Sequence, residues 1–379
     1  MNSFNKKELE FYQRHLMLEG FGISSQDKLK NSSVLVVGAG GLGCPVLQYL
    51  TSAGVGRVGI IDDDCVEISN IQRQFLYHVG DVGQLKVKVA ARRLMEHNPN
   101  VEIETFVERL SVGNVKGIFS KFDIIVDGSD NFETRYLIND ACVLLGKTLV
   151  YGAIFKFNGQ VSVFNFNKGP TYRCLFPLPP GADALPSCAE VGVLGVLPGI
   201  IGSLQALEAI KILTGVGTVM SGKVLLYDAL NQQFSKVSLK LEEKNLDIAD
   251  LELNPVDISC TQAPEKMNLD SINEISPNDL VEIFNQNPNT NIIDVREAWE
   301  REIDLISPSL HIPLGNFSEE SVLELLPVDF SGEITVYCKA GVRSMEACKV
   351  LSHLGYKKIN NLMGGMINWQ AENLPVELG

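Results

Sequence analysis

The chain has 379 residues, with 46 acidic against 32 basic side chains for a formal charge of −14, and it is 45% hydrophobic and 21% charged. That composition excludes a disordered chain, a collagen and a small disulfide scaffold, and the length predicts two domains, each able to bury its own core. With no basic footprint for a phosphate backbone, direct nucleic-acid binding is not expected.

The opening MNSFNKKELEFY lacks the apolar core of a signal peptide, and the longest uncharged run, between Glu190 and Glu208, carries Pro198 and several glycines. Neither a leader nor a membrane span is therefore expected. Eight irregularly spaced cysteines fit a reducing cytoplasm, where thiols serve chemistry or packing.

From Ser33 to about Asp130 the text alternates SVLVVGAGG, PVLQYLTSAG, RVGIID, VKVAARRLMEHNPN, VEIETF and FDIIVDGSD, the βαβ rhythm of a parallel sheet. Next come a helix Tyr136–Leu145, a strand Thr148–Ala153, a hairpin-like Gly159–Phe166 and a Pro-rich loop from Lys168 to Ser187. An apolar helix Gly195–Thr214 and strands Val224–Asp228 and Phe234–Lys240 close a first domain, 1–245. Residues 246–270 form a polar linker, and 271–379 a second, smaller α/β domain. In it SPNDLVEIFNQ, SMEACKVLSHLGY and MINWQAEN read as helices, and TNIIDV, EITVYC and KKINNL as strands.

Gly38-Ala39-Gly40-Gly41-Leu42-Gly43 follows a strand and opens a helix, so backbone N–H groups and the helix dipole can face a phosphate. Asp62, at the end of the next strand, stands where a carboxylate receives ribose hydroxyls. These features do not separate NAD from ATP. Breaking a triphosphate requires cations and a carboxylate for Mg²⁺, which Arg73, Lys86 and Asp130 would supply. Taken singly, Arg73 and Lys86 read equally well as surface charges, and Asp130 as the cap of the helix after it.

Together VLVVGAGGLGCPVLQYLTSAGVG, IIDDDCVEISNIQRQFL, VGQLKV, DGSDNFETRYLINDAC and TYRCLFP resemble the MoeB/ThiF family of E1-like enzymes, which adenylate ubiquitin-like sulfur carriers. The resemblance runs from about Phe11 to Lys240. It implies a Rossmann-like E1 fold with a mixed sheet, ATP and Mg²⁺ as cofactors, and a carrier ending in Gly-Gly (MoaD/ThiS-like) as partner. By the same resemblance Gly38, Gly40, Gly41, Gly43 and Asp62 hold phosphate and ribose. Asn70 and Arg73 lie on the phosphates, Lys86 meets developing charge, Asp130 holds magnesium, and Ser69 and Asn131 complete the nucleotide site. Arg14 matches an arginine that reaches the neighbouring subunit's nucleotide, so a homodimer is expected.

Cys44, Cys65, Cys142 and Cys348 read as small buried hydrophobes. Cys188 matches a family cysteine that links covalently to the activated carrier. Two CxxC pairs hold structural zinc in many members; here only Cys174 and Cys260 remain, and a structural zinc, which favours four strong ligands, is not expected.

Cys338-Lys339-Ala340-Gly341-Val342-Arg343-Ser344 lies between a strand and a helix, where successive N–H groups surround a sulfur and Arg343 adds positive charge. With Asp294, Arg296, His311, Gly364-Gly365 and Trp369, this loop resembles a rhodanese domain over about Ser276 to Leu374. The resemblance makes Cys338 a persulfide carrier. The fusion then implies that ATP activates the carrier and persulfide attacks it to form a thiocarboxylate. The sulfur donor is a cysteine desulfurase or thiosulfate, and Cys188 is a candidate for releasing the product. An NAD-dependent oxidoreductase, a sulfurtransferase whose N-terminal domain only binds nucleotide, a ubiquitin activator that hands its substrate to a conjugating enzyme, and a non-enzymatic sulfur-binding scaffold remain the alternatives.

Overall fold

Ser33–Val37 (β1) is buried at every residue, as expected of a strand whose last four residues are apolar and which is covered on both faces. Seven more strands join it: β2 (Arg57–Ile61), β3 (Glu102–Phe106), β4 (Ile124–Asp127), β5 (Thr148–Phe155), β6 (Asn158–Phe164), β7 (Lys223–Asp228) and β8 (Gln233–Ser238). Their order is β3-β2-β1-β4-β5-β6-β7-β8. The first five run parallel, and β6, β7 and β8 are antiparallel. This mixed sheet belongs to the first of two units in a computed structural model, Met1–Asp257 and Ile258–Gly379. The structure describes residues 4–179, 192–248, 250–251, 272–287, 290–318, 320, 322–323 and 332–378.

The helices of the first unit are α1 (Lys6–Phe11), α2 (Gln13–Leu16), α3 (Gly22–Lys30), α4 (Gly43–Ala53), α5 (Lys86–His97), α6 (Val112–Phe119), α7 (Phe132–Leu144), α8 (Tyr172–Leu175) and α9 (Val196–Thr214). Alternation along β1 divides the core. Val34 and Val36 join Leu47 and Leu50 of α4 and Leu94 of α5, whereas Leu35 and Val37 join Ile118 and Phe119 of α6 and Ile138 of α7. Because β2 lies on one side of β1 and β4 on the other, the strand order reverses at β1, and a crevice opens beyond the ends of β1 and β4.

The structure adds α6 to the expected elements of this unit and moves one boundary. Helix α7 begins at Phe132 rather than Tyr136, because the Asn131 side chain accepts the Thr134 N–H at 2.9 Å and caps the earlier turn. Helix α9 is long and apolar enough to cross a membrane by length and composition, and it packs on α4, β5 and β6. Gly152 leaves room for Gln205 of α9, since a Cβ there would lie 2.3 Å from that side chain. Gln205 Nε2 donates to the Asp127 carbonyl at 2.6 Å, holding the end of β4 beside the crevice.

Among the described residues the second unit has five strands: β9 (Ile272–Ile275), β10 (Asn291–Asp294), β11 (Leu310–His311), β12 (Ile334–Tyr337) and β13 (Ile359–Leu362). They form a parallel sheet in the order β11-β10-β12-β13-β9. Its helices are α10 (Pro277–Gln286), α11 (Ala298–Ile303), α12 (Val342–His353) and α13 (Gly365–Ala371). Ser276 and Asp279 form a capping box at α10 with Pro277 in its first turn.

Candidate functional site

In the first unit the crevice is a cavity of about 480 Å³ lined by Gly38, Gly40, Gly41, Asp62, Asn70, Arg73, Lys86, Asp130 and Asn131, among others. Gly38 has φ +92, and a Cβ there would sit 2.8 Å from the Gly128 carbonyl, so the β1 and β4 turns approach each other backbone to backbone. Gly43 turns away from the cavity: its Cβ would lie 2.0 Å from the Gly38 carbonyl, so it serves the tight joint between turn and helix.

Asp62 Oδ2 accepts the Ala39 N–H at 2.7 Å, and its Oδ1 accepts the Asp64 N–H at 2.8 Å. Burial pushes its carboxyl above the usual value, with the Lys86 charge opposing that rise. Lys86 is itself buried, and its Nζ pairs with Asp64 Oδ2 at 2.7 Å. Arg73 donates to the Ser69 carbonyl at 2.9 Å, which ties the exposed guanidinium to its own turn. Asn70 Oδ1 accepts the Glu67 N–H at 3.2 Å, so Asn70 shapes this turn as well as facing the crevice. Asp130 is exposed at the rim. The loop carrying it is fixed from below: Asp127 Oδ1 accepts the Ser129 hydroxyl at 2.6 Å, and Arg135 donates to the Ser129 carbonyl at 3.0 Å.

In the second unit Cys338 directly follows β12 and is buried. Its Sγ accepts the Gly341 N–H at 3.1 Å and faces the Ser344 hydroxyl at 3.4 Å. Gly341 has φ +94, and a Cβ there would meet the Gly364 nitrogen at 3.0 Å. A Cβ on Gly365 would lie 2.2 Å from the Cys338 carbonyl. The paired glycines thus let α13 abut the sulfur loop, where the Met366 and Ile367 N–H groups donate to the Cys338 and Lys339 carbonyls at 3.0 and 3.1 Å. Lys339 and Val342 are exposed, and Ala340 is half-buried.

Arg343 has a carboxylate partner. Its guanidinium forks the Glu300 carboxylate of α11 at 2.7 and 2.8 Å, so its charge is matched by a carboxylate instead of standing uncompensated beside the sulfur. Asp294 and Arg296 pair bidentately, Tyr337 donates to Asp294 at 2.7 Å, and His311 Nε2 meets the Arg296 carbonyl at 2.8 Å. These groups brace β10, β11 and β12 against one another.

Residues 12–248 match the ThiF family. The chain belongs to the ThiF family. Its residues 276–372 match the rhodanese-like domain, which makes it a ThiF-family chain with a C-terminal rhodanese domain. It is 53% identical over 242 residues to the sulfur carrier protein adenylyltransferase of Thermus thermophilus, covering 62% of this chain and 89% of that protein. It is 37% identical over 378 residues to the probable adenylyltransferase/sulfurtransferase MoeZ of Mycobacterium tuberculosis, covering 99% and 96%. With the adenylyltransferase and sulfurtransferase MOCS3 of Aedes aegypti the identity is 39% over 389 residues, covering 97% and 88%. Relatives so named match nearly its whole length, and the chain is an enzyme of the adenylyltransferase and sulfurtransferase class. Among solved structures, E. coli MccB with ATP shares the fold at a TM-score of 0.53 and 18% identity, covering 63% of this chain and 80% of that one.

In this ThiF-family chain the cavity gathers nine of the residues singled out from sequence, from Gly38 to Asn131. Arg14 lies exposed on α2, and Ser69 and Gly43 are not among the cavity's lining residues. Cys188 and Cys260 lie outside the described residues. Asn131, not Asp130, caps α7, which leaves the Asp130 carboxylate without a structural duty there. Cys65 is exposed, contrary to the expectation of a buried hydrophobe, because it stands in the connection after β2 and not in a helix. Cys44, Cys142 and Cys348 are buried. Sequence reasoning missed Asp64, Glu300 and Asn361 as partners of Lys86, Arg343 and Ser344. No sequence spacing links these pairs except the short Asp-Asp-Asp run ending at Asp64.

Proposed function

We propose that the first unit adenylates the C-terminal glycine of a ubiquitin-like sulfur carrier at the expense of ATP, and that the rhodanese unit delivers sulfur to the activated carboxyl. The observation that carries this reading is the convergence of Arg73, Lys86 and Asp130 on one cavity at the point where strand order reverses. A hydride-transfer site has no use for two cations and a rim carboxylate, whereas a triphosphate needs them. The carboxylate of the carrier attacks the α-phosphate, pyrophosphate leaves, and the acyl-adenylate has AMP as its leaving group. Backbone N–H groups of the Gly38–Gly43 turn and the start of α4 hold phosphate, and Asp62 receives ribose. Lys86 leaves Asp64 for the phosphates when nucleotide enters.

Oxygen donors at the cavity suit a hard divalent cation: Asp130 is exposed at the rim, and the carboxylates of Asp62, Asp63 and Asp64 stand within 4.8 Å of one another. Magnesium there would neutralise the charge of the triphosphate. Zinc fits Cys174 poorly. Its Sγ accepts N–H groups of Thr171, Glu242 and Asn245, which are donors and not ligands.

Cys338 as persulfide attacks the acyl-adenylate, AMP departs, and an acyl disulfide forms. A second thiol, for which Cys188 is the candidate, then attacks its Cys338-side sulfur and releases the thiocarboxylate, leaving a disulfide on the enzyme. The sulfur donor is a cysteine desulfurase or thiosulfate, and the setting is cytoplasmic. Homodimer formation brings Arg14 to the partner's nucleotide. An apolar groove between α4 and α9, with Tyr49, Phe75, Val196 and Leu207 about half exposed, supports a second copy as its cover.

Pyrophosphate–ATP exchange with a panel of Gly-Gly-ending carriers tests the reading. Exchange should vanish in Asp130→Ala and persist in Cys338→Ala, whereas thiocarboxylate formation should vanish in both. Exchange that survives Asp130→Ala would remove the proposed role of that carboxylate.

A further inference from the structure

β13 reads Ile359-Asn360-Asn361-Leu362, and all four residues are buried. A buried asparagine must find partners or bear a desolvation penalty. Asn360 finds Glu333, donating at 2.6 Å. Asn361 lies between Val336 of β12 and Glu274 of β9, on the same face as Ile359, which belongs to the core that holds Cys338 and Cys348. There its Oδ1 faces the Ser344 hydroxyl at 2.6 Å. That hydroxyl also stands 3.0 Å from the Gly341 carbonyl and 3.4 Å from Cys338 Sγ. A hydroxyl has one proton to give. In the resting geometry the shortest contact, Asn361, takes it, and the sulfur keeps the Gly341 N–H.

An anionic sulfur reverses that ranking, because a hydrogen bond to a charged acceptor is roughly twice as strong as a neutral one. The Ser344 O–H then turns to Sγ, and its oxygen offers a lone pair towards residue 361. An amide can answer, since it carries both an acceptor and a donor. We propose that Asn361 is a positioning residue for the sulfur anion at Cys338: it accepts from Ser344 when Cys338 is a thiol and donates through Nδ2 when the sulfur is a thiolate or persulfide. The relay rests on the reading of Cys338 as the sulfur-bearing atom. Among the described residues, Lys339 and Arg343 stand in the same loop, with Glu300 of α11 on Arg343; Tyr337 precedes Cys338, Cys348 of α12 shares its core, and Glu274 of β9 pairs in register with Asn361. Substitution at 361 leaves all of them in place.

The test is the pH dependence of Cys338 alkylation by iodoacetamide in the full chain, followed by mass spectrometry of the Cys338 peptide. Asn361→Val, which neither gives nor takes a proton, should move the midpoint up by about one pH unit, the scale of one hydrogen bond to a charged group. Asn361→Thr, of the same shape but with a hydroxyl that does both, should stay within about 0.3 unit of the parent. In a Ser344→Ala background the valine and asparagine chains should titrate together, because the relay has lost its middle member. Equal midpoints for the valine and threonine variants, or a valine shift that persists without Ser344, would overturn the proposal. Should Asn361→Val not fold, Asn361→Asp, which accepts but cannot donate, replaces it. Its upward shift must then shrink by about one pH unit in Ser344→Ala, where only the direct charge effect remains. Thiosulfate–cyanide sulfur transfer by Cys338→Ala separately reports whether Cys338 bears the sulfur at all.

Discussion

Cys174 and Cys44 are both thiols of the ThiF segment, and their surroundings drive them in opposite directions. Burial raises Cys44 to about 12. At Cys174 burial also raises the thiol, but hydrogen bonds from Asn245, Thr171 and Glu242 outweigh it and leave the group below its ordinary value. Iodoacetamide at pH 8 should therefore label Cys174 well before Cys44, Cys142 and Cys348, the last also held at about 12 by burial. Peptide mapping after a short pulse checks the order, and equal labelling of Cys44 and Cys174 would contradict it. The run TYRC marks Cys174 in the sequence. Its donors at 242 and 245 come from a stretch some seventy residues away, which only the fold brings near.

At the scale of elements, glycines separate turns that tolerate a side chain from turns that do not. Gly43→Ala should cost on the order of 3 kcal/mol, because its Cβ would lie 2.0 Å from a backbone carbonyl that cannot step aside. Gly117→Ala, exposed in α6 with open space around its Cβ, should stabilise by about 0.5–1 kcal/mol through helix propensity. Urea melts of the two variants decide both signs. In the rhodanese unit burial would raise the Glu300 carboxyl, but the Arg343 fork and the Glu297 N–H reverse this and leave it below the ordinary value of 4.5. A lowered folded value means that the pair stabilises at pH above 4.5 and fades as the pH falls through the lowered value. The melting temperature of the rhodanese unit should accordingly drop on acidification below that point, and Glu300→Gln should flatten the drop. The element boundaries tied to local chemistry were legible beforehand, such as the Ser276 cap of α10. The start of α7 was not, because a single side-chain cap at Asn131 outweighs the apolar periodicity that begins at Tyr136.

For the whole molecule the question is where Arg14 acts. It is exposed on α2 and absent from the residues lining the cavity of its own chain. If it completes the partner's site, Arg14→Ala and Asp130→Ala chains should each be inactive alone. Mixed, they should regain about a quarter of the parental exchange rate by random pairing in a two-fold dimer. No recovery after subunit exchange would place Arg14 in its own site or in none.

The βαβ rhythm of β1 to β4, the division into a ThiF-like and a rhodanese-like segment, and the residue types at the glycine turn, Asp62 and the Cys338 loop were written in the chain, because they depend on local periodicity and short spacing. Tertiary structure alone decided the partners: Asp64 on Lys86, Glu300 on Arg343, and Asn361 on Ser344. Each pair joins groups from different elements whose meeting depends on how helices cross the sheet. Electrostatics and hydrogen bonding at a site are set by such distances, and a linear text carries spacing along the chain but not distance across it.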